Sequence, residues 1–575
     1  MVDKVDLLFM IDNSRSMADK QDVLRRTVPD LVGRLVNPLC VDAAGAPVAS
    51  QPANADAACP GGSTREFEPV KDLHLGAISS SLGDAGANAI FSCAAGVSPG
   101  DDAAHLMGSV RSGLASNAEG FLAWNGGDET ATGALISDFQ GHVSGAGDQG
   151  CGYEASLEAW YRFLVDPTPP ANLKRGPCSA GDTSNGCVIR DGRDDVLLAQ
   201  RAEFLRPDSL LAIIMLSDEN DCSITQGGQF WLAADSGAFK YRPTASCESD
   251  PNSECCYSCA QAQVAGCPDK ATECAGPPPG GDSPNLRCWD QKRRAGIDFL
   301  YPIDRYVEGL SKRQVTTGYN GCDAQKADNP LYVDVKGEGR PVRDPSMVFL
   351  AGIVGVPWQD VAVSAETCAL DPSACPPADG SLKYLTASQM AAQGRWKTIL
   401  GEPVSVTPSN CESRDVRTRH QHRNPQDPFM IETAFERSGT NPITGDRLPG
   451  ANAVNGNDYS TVYNGVHSDL QYACVFDLPA GTNPCDSGGC DCETDSDVAS
   501  GKPLCQSKGV QDKAKAYPGT RLLSALEGYG DNSVVASICP KTLDAGASDF
   551  GYRPAVSALV DRLKGALSVR RCLVP

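Results

Sequence analysis

The apolar run at residues 5–11, Val-Asp-Leu-Leu-Phe-Met-Ile, stops abruptly at Asp12-Asn13-Ser14-Arg15-Ser16, and a helical pattern starts straight afterwards. The run reads as a buried strand. Strand, tight loop and helix together place one carboxylate and two hydroxyls at the carboxyl end of a first parallel strand. Hard oxygens of this kind suit Mg²⁺, or alternatively Ca²⁺ or Mn²⁺. The bland reading of the pentapeptide is an Asp/Ser turn whose hydroxyl caps the helix. The flanking strand and helix favour a metal.

A second apolar run, residues 210–216, ends at Ser217-Asp218-Glu219-Asn220-Asp221. A helix is predicted over 153–164, preceded by Gly150-Cys151-Gly152-Tyr153-Glu154. With Asp12, Ser14, Ser16 and Asp218, the pattern resembles the von Willebrand factor A domain with its metal-ion-dependent adhesion site. The resemblance implies that Ser14 and Ser16 bind the metal directly, and that Asp12 and Asp218 act directly or through water. The coordination shell is then left open for a partner's carboxylate. The family carries a threonine before a helix on its third loop, and this chain has none at that place. Glu154 from the first helical turn, or Thr132 or Thr130 from an upstream loop, are the candidates to replace it.

The implied fold class is α/β: a Rossmann-like A domain with a mostly parallel central sheet, heavily inserted with disulfide-rich loops. Strands are expected at 5–11, 73–80, 121–124 (an edge), 210–216, 346–354 and 533–538, and helices at 19–35, 153–164, 291–310, 521–527 and 555–567. Pro29 predicts a kink or restart in the first helix, and Pro302 an interruption in the third. Residues 1–222 then hold the first part of the domain, with loop-like inserts at 37–72 and 166–207. A Cys-rich insertion at 223–287 and a long Cys-containing one at 357–512 flank a continuation at 288–356, and 513–575 closes the domain. Both large insertions leave from carboxyl strand ends, where open parallel sheets bind ligands. They are expected to wall the metal face, whereas 37–72 and 166–207 should lie at the opposite face.

Twenty-five cysteines among 575 residues are hard to reconcile with a reducing cytosol, and only six histidines accompany them. Disulfides and export follow; the odd count leaves at least one thiol outside an intrachain pair. Cys255, Cys256 and Cys259 read as disulfide partners rather than a metal knuckle. A net charge of −22 argues against nucleic acid and anionic membranes as partners. No apolar run is long enough to cross a membrane. Met1 is expected to stand in place of a removed export signal, and a lipid anchor in the precursor is compatible with that.

Other clusters read more simply. Glu219 and Asp221 are expected to be solvated, ahead of indirect acceptors or a second cation site. Asp486, Asp491, Glu493, Asp495 and Asp497 lack the EF-hand pattern and read as an exposed acidic loop. His420 and His422, among Arg414, Arg417, Arg419 and Arg423, read as a local salt-bridge patch, with anion binding the sharper alternative. No Gly-x-Ser-x-Gly elbow, His-Glu-x-x-His helix or phosphate loop is present. Segments 9–17, 150–154, 218–223, 287–307, 349–358 and 428–444 resemble secreted Cys-rich A-domain proteins of myxobacteria and related delta-proteobacteria, including integrin-like gliding adhesins. The expected function is cation-dependent adhesion or protein binding at the cell surface or outer membrane, without enzymatic activity. The alternatives are an envelope scaffold whose metal only stabilises it and, more remotely, a metal-dependent hydrolase.

Overall fold

The computed structural model describes residues 4–568 apart from 86–90, 95, 97–98, 178–180, 182–186, 227, 229–241, 275–280, 318–324, 371–374, 378, 404–421 and 488–489. Six runs form one sheet: β1 (Lys4–Ile11), β2 (Asp72–Ser79), β3 (Leu122–Trp124), β4 (Leu210–Ser217), β5 (Val348–Val354) and β6 (Ser533–Ser537). Their spatial order is β3-β2-β1-β4-β5-β6. All neighbours are parallel except β2 and β3. β4 and β5 are buried along their whole length and β1 from its second residue, as expected of strands covered by helices on both faces.

On one face pack α1 (Ala18–Val36), α2 (Glu129–Gly145) and α7 (Arg553–Ser568). On the other lie α3 (Ser156–Leu164), α5 (Ile303–Ser311) and α6 (Thr520–Tyr529), with α4 (Asp195–Phe204) against α3. Phe9 meets Phe139 of α2 at 4.7 Å between ring centroids, and Trp160 of α3 meets Tyr306 of α5 at 5.7 Å. Each such buried ring contributes roughly 1.5–3 kcal/mol. Arg553 of α7 pairs with Asp30 of α1 (Nε–Oδ2 3.0 Å), so the first and last helices close the same layer.

α1 runs through Pro29 without a break. The carbonyl of Arg25, which a residue with an N–H at position 29 would have bonded, instead accepts from Gln140 Nε2 of α2 at 2.9 Å. The helix expected over 291–310 is two pieces, Gln291–Ala295 and α5. Gly296, at φ +72°, ends the first and Pro302 is the N-cap of the second.

Insert 37–72 contains the hairpin Cys40–Val41/Thr64–Arg65, and insert 166–207 contains Pro170–Gly176/Cys187–Arg193. Ten disulfides join cysteines among the described residues. Cys247–Cys256, Cys255–Cys267 and Cys259–Cys274 knit the first large insertion, so the three close-spaced cysteines are disulfide partners. Cys474–Cys539 fastens the second insertion to the exit of β6. Cross-links of this density hold loop-rich segments that have little core of their own. They are consistent with an exported protein, and no helix among the described residues is long and apolar enough to cross a membrane.

His420, Arg414, Arg417 and Arg419 lie outside the described residues. His422 sits 3.5 Å from Asp290, and Arg423 pairs with Glu527 at 2.5 Å, as in a salt-bridge patch.

Candidate metal centre

Strand register brings the site together. Ile11 of β1 lies opposite Ser79 of β2 and Leu216 of β4. The next residue of each strand path, Asp12, Ser80 and Ser217, therefore emerges at one level beyond the carboxyl ends. Strand order reverses between β1 and β4, the position at which open α/β sheets bind ligands.

Asp12 is fully buried. Its Oδ1 accepts from the Ser14 amide (2.8 Å), and its Oδ2 accepts from Ser217 Oγ (2.6 Å). Ser80 Oγ is a further, long contact at 3.4 Å. The Asp12 carboxyl is pushed above the usual range, first by burial and then by the Asp218 charge, while Ser217 and Ser14 pull it back. The Ser14 hydroxyl lies beside that carboxylate without hydrogen-bond geometry, and it does not cap the helix. Ser14 Oγ, Ser16 Oγ and both Asp218 carboxylate oxygens are buried and make no hydrogen bond among the described residues. An Asp/Ser helix cap leaves no such orphans, because its hydroxyl is used on the backbone.

A buried ammonium stands among them. Lys20, on the first turn of α1, is buried with its ammonium 3.0 Å from Asp218 Oδ2 and 3.0 Å from Asp19 Oδ1. The same ammonium donates to the Ser16 carbonyl at 2.8 Å. Lys20 thus ties the first loop to Asp218, and it partly offsets the buried negative charge. Gln21 Nε2 closes the loop from beneath, donating to the Asp12 carbonyl (2.9 Å) and the Gly147 carbonyl (2.8 Å).

The third loop docks through Gly150. Its amide donates to the Asn13 carbonyl at 2.7 Å, and a Cβ there would meet Asn13 Oδ1 at 2.2 Å. Asn13 Oδ1 also accepts from Ser81 Oγ (2.9 Å), which in turn accepts from the Cys151 amide (2.8 Å). Cys93–Cys151 staples this loop, and Cys222–Cys288 staples the one after Asp218. Glu154 follows, 4 % exposed. Its backbone bridges the carbonyl-to-amide contact with Cys222 (2.7 Å), and the next amide, Ala155, donates to Ser80 (2.9 Å). Burial, then Glu219, Asp12 and Asp218, raise the Glu154 carboxyl well above its usual range. Glu219 is raised too, by burial and then by Asp218 and Asp12. Four carboxyl groups therefore feel one another at this end of the sheet.

The structure brings together Asp12, Ser14, Ser16, Asp218 and Glu154. It does not bring Thr132 or Thr130. Both lie in the first turn of α2, which follows β3, and Trp124 at the end of β3 pairs with Leu73 near the amino end of β2. The antiparallel edge strand carries them away from the site. Asp221 is not solvated: it accepts from the Leu157 amide (2.9 Å) at the start of α3 and pairs with Arg521 (3.0 Å). The acidic loop is held by lysines, with Asp491 on Lys515 (3.0 Å), Asp497 on Lys502 (3.2 Å) and Asp495 on Lys508 (2.9 Å). Glu493 instead reaches Arg15 of the first loop at 2.9 Å. Sequence reasoning passed over Ser80, Ser81, Ser217 and Lys20; the available signal for the serines was a serine directly at the end of two apolar runs, 73–78 and 210–216.

Above the site is a cleft of about 970 Å³, lined by Ser14 and Ser16 below, by Cys288 and Trp289 near the first insertion, and by Glu432 and Asp469 of the second. The Tyr517 amide donates to the Asp218 carbonyl at 2.7 Å, so the chain returning from the second insertion lies directly against the loop that follows β4. Among the described residues no three His, Cys, Asp or Glu side chains are grouped to hold a metal by themselves. A cation here needs the serine hydroxyls as well as the carboxylates. No family model matches the chain, and comparison with the curated proteins and with the solved structures finds no match.

Proposed function

We propose that Ser14, Ser16, Asp12 and Asp218, with Glu154 close by, hold a divalent cation (Mg²⁺, Ca²⁺ or Mn²⁺), and that the protein is an exported von Willebrand A-type adhesion or protein-binding module. The carrying observation is the set of four buried oxygens without hydrogen bonds, on Ser14, Ser16 and Asp218. Buried polar atoms are normally satisfied, and clustered anionic oxygens in particular need a counter-charge. Only oxygen donors are offered, which suits hard cations. When bound, such a cation supplies an open position for an oxygen of a partner. The chain's own groups do the rest: Ser217 and the Ser14 amide fix Asp12, Lys20 holds Asp218, and Gly150 locks the third loop.

Lys20 favours a second reading, in which its ammonium is the resident counter-charge and the cluster is structural. Metal titration separates the two. Chelator-treated protein given Mg²⁺, Ca²⁺ or Mn²⁺ should gain about 2.7 kcal/mol at a hundredfold excess over Kd, read as a higher Tm. Asp12→Ala should abolish the gain. Retention of outer-envelope proteins on the immobilised chain should be lost in chelator. A Tm indifferent to all three cations would leave only the structural reading.

A further inference from the structure

The second insertion carries an exposed apolar hairpin. Val462–Tyr463 pairs antiparallel with Val466–His467. Asn464 and Gly465, at φ +49° and +81°, form its two-residue turn. Val462, Tyr463 and Val466 are 48 %, 59 % and 46 % exposed. Phe435, 42 % exposed, lies beside them with its ring 4.4 Å from that of His467. The other exposed large apolar residues among those described, Val196, Leu370 and Val498, sit singly on three separate helices. The hairpin is firmly seated. Thr461 Oγ1 donates to the Ala434 carbonyl (2.7 Å) and lies 2.6 Å from His467 Nδ1, and the Ser468 amide donates to the Thr461 carbonyl (2.9 Å). A rigid cluster of exposed aromatic and β-branched side chains is what contact surfaces are made of.

Its position supplies the rest. Ser468, Asp469 and Leu470 follow the hairpin directly, and they line the cleft that has Ser14 and Ser16 at its base. Seven carboxyl side chains and three cationic ones line that cleft. A cleft of about 970 Å³ between two insertions has room for a few residues of extended chain.

We propose that the hairpin and the cleft together bind an extended polypeptide segment of a partner protein. Its apolar residues lie across Tyr463, Val466 and Phe435, and a single carboxylate enters the cleft toward Ser14, Ser16 and Asp218. The segment carries net positive charge, which the acidic lining selects. The carboxylate half rests on the reading of the site as a cation centre; the apolar half does not.

The test uses the full chain and a random linear peptide library displayed on phage, panned in Mg²⁺ and Mn²⁺. Enriched peptides should contain one Asp or Glu, apolar neighbours and net positive charge. Affinities are then measured for wild type, for Tyr463→Ser and for Phe435→Ser, which alter separate segments of the chain and are checked by an unchanged melting transition. Binding should weaken about tenfold in each variant and disappear in chelator. Failure to enrich any peptide, or equal binding by wild type and both variants, overturns the proposal. Loss in chelator with unaltered binding by the variants removes the hairpin and leaves the cation centre standing. Weakened binding by the variants that persists in chelator supports the hairpin and removes the cation centre.

Discussion

The sheet has a buried carboxylate at each end of β1, and the two are treated differently. At the amino end, Asp6 faces Arg206 (Nε–Oδ1 2.8 Å) and Arg343 (3.5 Å), and it accepts from the Arg206 amide (3.0 Å) and Ser209. Asp72 shares Arg206. At the carboxyl end, Asp12 has hydroxyls and an amide, and Asp218 has the ammonium of Lys20, with that of Lys515 within electrostatic reach; Glu154 and Glu219 crowd the same place, and burial and the neighbouring carboxylates push both above the usual carboxyl range. Burial is complete in both places. The amino end is a closed ionic knot that fixes the ends of β1, β2 and β4. The carboxyl end is short of positive charge, and it is the end at the switch in strand order. Incomplete neutralisation is the pattern that functional sites favour, and complete neutralisation the one that structural ion clusters show.

The same substitution at both ends should therefore have opposite signs. Asp6→Asn strands two buried guanidinium groups and is expected to cost about 3–5 kcal/mol. Asp12→Asn removes one of two repelling carboxylates and leaves the bond from the Ser14 amide in place. In chelator it should stabilise, by about 1 kcal/mol. Thermal melts of both variants under oxidising conditions decide the matter; destabilisation of similar size at both ends would erase the distinction. Lys20→Met sharpens it. Without its ammonium, Asp218 is buried and unpaired, so the metal-free variant should lose on the order of 3 kcal/mol. Divalent cation should then raise its Tm by more than it raises that of wild type. If the variant does not respond to any cation, Lys20 is the permanent counter-charge.

Continuous apolar runs made β1, β4 and β5 legible in the sequence, because a strand buried on both faces has little room for polar residues. The motif and Asp218 were legible for the same reason: each sits at the end of such a run. The edge strand near residues 121–124 was legible too, but its antiparallel direction was not, and that direction decides that Thr132 starts its helix at the far end of the sheet. Lys20 was hidden because a lysine on an amphipathic helix ordinarily faces water. Asp221 reads as solvated in the sequence since nothing local announces that Arg521, 300 residues away, is its partner. The disulfide pairing was out of reach in principle, as spacing alone does not fix connectivity.

A third carboxylate site tests whether deficient neutralisation also costs stability away from the cation centre. Asp360, just beyond β5, and Asp427, in the second insertion, are both fully buried; their carboxyl groups act on each other, and the Oδ2 of each makes no hydrogen bond among the described residues. Asn441 also donates to Asp360 (3.0 Å), and the Phe429 amide to Asp427 (3.0 Å). Arg395 and Asp446 face Asp360, and Arg437, already paired with Asp458 at 2.7 Å, faces Asp427. Two buried carboxyl groups that repel each other are relieved when a proton is kept between them. Burial, then the Asp360 charge, push Asp427 up to about 10. The native state therefore keeps a proton that the unfolded chain releases near the ordinary carboxyl pKa of about 4. Between those values the folded state binds more protons, so stability falls as pH rises, by up to about 1.4 kcal/mol per unit, and levels off above about 10. Asp427→Asn keeps the acceptor for Phe429 and places an amide donor where the shared proton lay. It should stabilise the protein by about 1–3 kcal/mol at pH 8, and the gain should vanish near pH 4. Melting curves at the two pH values measure this; an equal gain at both would mean that no proton is shared.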